Sequence, residues 1–346
     1  MVYLDNAATT VCKFPASTYD DIWGNANAPY KFGLNARQAA DDCREKVKEC
    51  LGVKGGKVVF CSNASEAAKI LCDRFYTHTF VPCITVCGPY EHDSVYDLVD
   101  MHGYQFVHHS DCTAIFQQWV NPVTGVIFDI TGIRKAIGND CFLCMDATAG
   151  IGKRFLSQSI VNSVDAIWFS GHKFHGPKTG GILWVSDRLS KALYLSDDSR
   201  NEYGLKHGTL DVPSFIATTH ALEYTINNDV ENIGRHAELN DYLSNRAGDR
   251  IVGFQPCASG QLNATVLIDT GCNADVLVQY LSSKGIYVGL AHSACSADAD
   301  YRVTQAFGIS KETAERCIRV SFSEDSTFED IDALVNGIKE FKEKFV

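Results

Sequence analysis

One lysine stands between two histidines in "SGHKFHGPKTGG" (170–181), after a small hydroxyl residue and before a turn rich in Gly, Pro and Lys. An amine attacks a carbonyl only as the neutral base, and an imine with an aldehyde keeps it ready for exchange. Lys173 is therefore a candidate covalent anchor for a charged aldehyde cofactor, with Ser170 and His172 placed to reach a phosphate. The competing reading is a solvated loop lysine, since lysines are mostly exposed.

Other stretches offer matching chemistry. In "FCSNASEAAK" (60–69) a strand runs through small polar residues into a helix. Helix N-termini favour anions, so Ala64 and Ser65 are candidate phosphate contacts; an ordinary capping box of Ser62, Ser65 and Glu66 is the alternative. Asp146 closes the apolar run "LCMD", where a carboxylate could pair with a protonated ring nitrogen or cap the next turn. His92 in "PYEHDSV" could stack on an aromatic ring or move a proton, or merely begin a helix. Arg319 interrupts the apolar run "CIRVSFS"; its fork suits a substrate carboxylate or a structural ion pair. Cys295 lies in "HSACSADAD", among small polar residues, as an accessible thiol would.

Apolar runs at 57–62, 83–88, 104–109, 141–146, 166–171 and 181–186 read as strands. Most are apolar on both faces, which predicts a sheet covered on each side. Helical patterns at 35–51, 65–76 and 94–101 lie between them, so the fold class is α/β with a mostly parallel central sheet. After the helices near 214–227 and 235–248 come strands at 263–269, 286–290 and 317–323, with helices near 275–284 and 327–345. These predict a smaller C-terminal α+β domain. The expected division is 1–230 for the large domain and 231–346 for the small one, with the N-terminal segment packing near the latter.

A net charge of −11 argues against nucleic acid or an anionic membrane as partner. The first ten residues lack the basic and apolar regions of a signal peptide, and no apolar run approaches the roughly 18–20 residues that span a bilayer. The 14 cysteines are scattered through apolar stretches rather than framed for disulfides. They read as reduced core thiols, and the protein as cytoplasmic. Cys141 and Cys144 have ligand spacing but no second pair follows, so no metal site is expected.

Taken in order, these segments resemble the class V aminotransferase family of fold-type I pyridoxal-phosphate (PLP) enzymes, and within it the NifS/IscS-like cysteine desulfurases. The similarity runs almost end to end: "YLDNAATT", "GNANAPYKFGLNAR" (24–37), "SNASEA", "YEHDSV", "KHGTLDVP" (206–213), "HSACS" and "IRVSFS" all correspond, and "SGHKFHGPKTGG" is the most specific match. The resemblance implies a three-layer fold, a homodimer and conversion of L-cysteine to L-alanine. It implies that Lys173 forms the Schiff base, Asp146 pairs with the pyridinium nitrogen and His92 stacks on the ring. Ala64, Ser65, Ser170 and His172 would hold the phosphate, and Thr209 would reach that of the neighbouring subunit. Arg319 would clamp the substrate carboxylate, and Cys295 would take the sulfur as a persulfide. Ala149 and Pro122 stand where the family places Gln and Asn on the cofactor's phenolic oxygen, leaving Thr148 and Asn121 as nearby polar candidates. Lys206 replaces the family's Arg and Tyr30 its early His. Another class V reaction (an aminotransferase, a selenocysteine lyase or a C–S lyase) and a catalytically degenerate relative are the alternative readings. No motif identifies a sulfur-acceptor protein.

Overall fold

Strands that are apolar on both faces must be covered on both, and the central sheet meets that requirement. The computed structural model describes residues 1–16, 21–78, 85–101, 113–197, 202–206, 208–252, 260–292 and 301–346. Its strands are β1 (Val2–Leu4), β2 (Lys57–Cys61), β3 (Thr85–Cys87), β4 (Ala114–Gln118), β5 (Val126–Ile127), β6 (Phe142–Asp146), β7 (Ala166–Ser170), β8 (Gly181–Val185), β9 (Gly260–Gln261), β10 (Thr265–Asp269), β11 (Ile286–Leu290) and β12 (Cys317–Ser321). The larger sheet has the order β2-β8-β7-β6-β4-β3. Pairs β3/β4, β4/β6 and β6/β7 are parallel, and β8 alone runs antiparallel to its neighbours.

Alternation divides its side chains between two cores. Val58, Phe60, Leu143, Met145, Ile167, Phe169, Ile182 and Trp184 face the helices Lys31–Leu51 and Val212–Asn227. Val59, Cys61, Phe116, Cys144, Trp168, Leu183 and Val185 face the helix Ala64–His78. Phe60 stacks on Phe215 with ring centroids 4.1 Å apart, fixing one helix against the sheet.

The smaller sheet has the order β1-β11-β12-β10, with β1 parallel to β11 and the remaining pairs antiparallel. Leu4, Val266, Ile268, Val288, Ile318 and Val320 pack on one side under the helices Asp229–Ala247, Ala274–Ser283 and Phe328–Phe345. Arg319 lies between Ile318 and Val320, so alternation turns it toward the opposite face. The N-terminal strand thus belongs to the sheet otherwise built by the last third of the chain.

One strand is unexpected and one expectation needs correction. Strand β4 was not among the predicted strands, whereas 104–109 lies outside the described residues. Cys12 is exposed, because it sits in an N-terminal strap that crosses the surface rather than in a core pattern. Cys43, Cys61, Cys72, Cys87, Cys141, Cys144, Cys272 and Cys317 are buried and unbridged.

Gly181 shows how closely the sheet meets the helix that follows β2. A Cβ there would lie 2.6–2.7 Å from the backbone of Asn63, the residue that opens that helix. Gly181→Ala is expected to lose roughly 1–3 kcal/mol by overpacking. Gly234→Ala, exposed within a helix and with open space around it, is expected to gain roughly 0.5–1 kcal/mol. Urea unfolding of both variants checks the contrast.

Candidate active site

Gln118, Asp146 and Ser170 are the last residues of β4, β6 and β7. All three line one cavity of about 700 Å³ at the carboxyl edge of the larger sheet, where open α/β sheets bind ligands. Ala64, Ser65, His92, His172, Lys173 and Arg319 line it as well. Val278, Val288, Gly289 and Leu290 bring the smaller sheet and its helix to the opposite wall. Of the predicted site residues that lie among the described residues, all but Asn121 and Thr209 line this cavity.

Lys173 ends the single 3₁₀ turn Gly171–Lys173 directly after β7 and is 7% exposed. It is not a solvated loop lysine. Its Nζ donates to the carbonyls of Ala7 (2.6 Å) and Ala8 (2.8 Å). His172 packs against Thr9, with Nδ1 3.2 Å from the threonine Oγ1. Burial, reinforced by the charges of Lys173 and Lys153, pushes His172 down to about 4, so the imidazole is neutral at ordinary pH. Ser170 is 2% exposed, and its Oγ has no partner among the described residues. A buried hydroxyl facing a cavity is a donor awaiting an acceptor.

Asp146 is 8% exposed, and no cationic side chain among the described residues is hydrogen-bonded to it. Its Oδ1 accepts from the Thr148 N–H at 2.8 Å. Burial raises its pKa, opposed by Thr148 and by the charges of His92 and Lys173. A cation in the cavity would suit this carboxylate. His92 accepts at Nδ1 from the Ser94 N–H (3.2 Å), which places the proton of the neutral ring on Nε2. At the helix start, Asn63 Oδ1 accepts from Glu66 N (2.9 Å) and the Glu66 carboxylate accepts from Ser62 N. Asn63 thus caps the helix, the Glu66 carboxylate takes the N–H of the residue before the cap, and Ala64 and Ser65 still face the cavity. Lys206 reaches Glu66 at 3.1 Å.

Asn121 is a correction. It does not line the cavity: Oδ1 accepts from Val123 N, Thr124 N and Thr124 Oγ1, while Nδ2 donates to the Tyr90 carbonyl. A short amide that closes its own turn in this way is committed to the backbone. Thr209 is exposed and outside the cavity wall. Cys295 lies outside the described residues. Its flanks are held near the site: His292 and Tyr301 have ring centroids 5.4 Å apart, and Arg302 donates to the Glu91 carbonyl (3.0 Å), one residue before His92.

Sequence reasoning missed Gln118, Lys153 and Asp5. Gln118 carries the same signal as Asp146, a polar residue closing an apolar strand, and pairs with it in register. Lys153 is 8% exposed and is pushed down to about 7 by burial and by the charges of Lys173 and Arg319. Arg319 is 1% exposed; its Nη2 donates to Asp5 Oδ1 (2.8 Å) and its Nη1 to the Pro122 carbonyl (3.4 Å).

The residues fit a phosphorylated aldehyde: an amine in the cavity wall, an orphaned hydroxyl beside it and a carboxylate lacking a counter-ion. Comparison with known proteins shows the family. Residues 2–95 and 97–334 match the family described as Aminotransferase class-V. The chain belongs to that family. Among its relatives, "Cysteine desulfurase IscS" of Buchnera aphidicola subsp. Schizaphis graminum is 27% identical, with 97% of this chain and 91% of the relative covered. "NifS/IcsS protein homolog" of Lactobacillus delbrueckii subsp. bulgaricus is 26% identical, covering 100% of this chain and 98% of the relative. The solved structure of a "NIFS-LIKE PROTEIN" aligns with a TM-score of 0.84 at 24% identity, covering 99% of this chain and 100% of its own. The apo structure of a cysteine desulfurase from Thermococcus onnurineus NA1 aligns with a TM-score of 0.83 at 16% identity, covering 99% and 95%. This class V chain has the fold of those structures.

Behind Lys173 lies a second, much smaller chamber lined by Lys153, His175, Asn232, His236 and Glu324. His236 is 2% exposed, and neither ring nitrogen has a partner among the described residues. Burial and the charges of Lys153, Arg235 and His175 push its pKa down to about 4, against the pull of Glu324. The unfolded chain therefore takes the proton first, and stability falls as pH drops from about 6.5 toward 4. Between pH 7 and pH 5, His236→Leu is expected to lose about 2 kcal/mol less than the parent. Urea unfolding at the two pH values measures the difference.

Proposed function

We propose that the protein is a PLP-dependent cysteine desulfurase, which converts L-cysteine to L-alanine and receives the sulfur on Cys295 as a persulfide. The observation that carries this reading is the convergence of Lys173, Asp146, His92 and Ser170 on one cavity, with Arg319 facing them from the smaller sheet. Relatives named cysteine desulfurase support the choice of cysteine as substrate.

Pyridoxal phosphate, when bound, supplies an electron-accepting ring that weakens bonds at the substrate's α and β carbons. Every other contribution is the protein's. Lys173 would hold the cofactor covalently and would carry protons to and from the substrate carbon. Asp146, buried in the cavity wall, would keep the ring nitrogen protonated. His92 would pack against the ring. Ala64, Ser65, Ser170 and neutral His172 bind the phosphate. Arg319 takes the substrate carboxylate. The Cys295 thiolate attacks the substrate sulfur, so that an S–S bond forms as the C–S bond breaks. The bonding pair stays with the substrate carbon, which takes a proton and leaves as alanine.

We further propose a homodimer, in which exposed Thr209 reaches the phosphate of the neighbouring subunit, and a cytoplasmic location, in keeping with the unbridged thiols. Cys295→Ser tests the reaction. The variant is expected to keep the bound cofactor's absorbance and to lose persulfide formation and turnover by a factor on the order of 10³ or more. Full alanine production by the variant would assign the site to another class V reaction.

A further inference from the structure

The proposed carboxylate clamp is already holding a carboxylate. Arg319 Nη2 donates to Asp5 Oδ1 at 2.8 Å, and both residues line the cavity. The pairing is built into the strands. Asp5 bridges to Ser321, two residues beyond Arg319 in β12, so the N-terminal segment brings its carboxylate alongside the guanidinium. Gly289 of β11 stands opposite Arg319 in register. A Cβ at Gly289 would lie 2.6 Å from Asp5 Oδ1, 2.8 Å from Arg319 Nη2 and 2.9 Å from its Nε. The ion pair thus fills the space a side chain at 289 would take. Arg319 is 1% exposed, whereas the Asp5 side chain is 22% exposed on the cavity side. Of the two partners, Asp5 is the one free to yield.

We infer that Asp5 is a specificity-determining residue: an internal carboxylate that occupies Arg319 until a substrate carboxylate displaces it. The inference rests on the reading of Arg319 as the carboxylate site. A simple monocarboxylate gains only the ion pair it takes from Asp5, so the exchange is close to balanced for it. An amino acid is also held through its amine near Lys173, and that second attachment lets it win. Where the binding-competent state is a minor one, apparent affinity falls by its population. Asp5 therefore keeps the cavity closed to amine-free anions while admitting amino acids.

Calorimetric titration of the cofactor-loaded protein with propionate, which has neither amine nor thiol, tests this without turnover. Asp5→Asn is expected to bind propionate about tenfold more tightly than the parent or better. Asp5→Ser, which removes the carboxylate without adding volume, is expected to do the same should the Asn variant fold poorly. Arg319→Gln, alone or with Asp5→Asn, is expected to abolish that binding. Equal or weaker binding by both Asp5 variants, with Arg319→Gln still abolishing it, would overturn the competitor role and leave Arg319 as the clamp. Propionate binding that survives Arg319→Gln would remove the clamp itself, and the inference with it.

Discussion

The site depends on an N-terminal strap that ties two sheets together through the lysine loop. Strand β1 is hydrogen-bonded into the smaller sheet. The chain then crosses to the larger one, where the Ala7 and Ala8 carbonyls accept from Lys173, and Thr10 N donates to the His172 carbonyl at 2.8 Å. Further along, Lys13 N and Phe14 N both donate to the His175 carbonyl. His175 adopts φ 69°, a left-handed conformation unusual for a non-glycine residue. It is held there by its N–H to Thr10 Oγ1, its Nδ1 on the Val11 carbonyl and its Nε2 near Glu324. Local strain of this kind persists only where its surroundings over-determine it. The same contacts fix the direction of the lysine two residues earlier.

Charge explains the rest of the arrangement. Arg319, Lys153 and Lys173 are all buried and near enough to one another to interact. Buried charges need partners, and here the strap supplies them: Asp5 to Arg319, the Asn6 carbonyl to Lys153 and the next two carbonyls to Lys173. Three cations are thus satisfied by four consecutive residues. On the other wall burial pushes Asp146 toward its neutral form. The Ser170 hydroxyl, without a partner among the described residues, and the Asp146 carboxylate both line the cavity and are complementary to a phosphorylated, protonated ring.

Much of this was legible in the sequence. Asp146 and Ser170 close apolar strands, and in a parallel sheet strand ends converge on one edge, which is how residues far apart in sequence come to line one cavity. Arg319 was legible as the one charge in an apolar strand. Gln118 escapes because the pattern of 114–118 does not read as a strand, and Asn121, the polar candidate beside Pro122, does not line the cavity. An Asx turn is invisible until the backbone is placed. Asp5 and Lys153 escaped for a different reason: each gains its meaning from a partner distant in the chain, Arg319 for the first and Asn6 for the second. Spacing along a sequence does not report such pairings.

We propose Lys173, rather than the neighbouring buried amine of Lys153, as the residue that carries the cofactor. Borohydride reduction of the cofactor-loaded protein, followed by mass mapping of its peptides, distinguishes the two amines. The cofactor-derived mass is expected on the peptide containing Lys173. That mass on the Lys153 peptide, or on no lysine at all, would overturn the assignment.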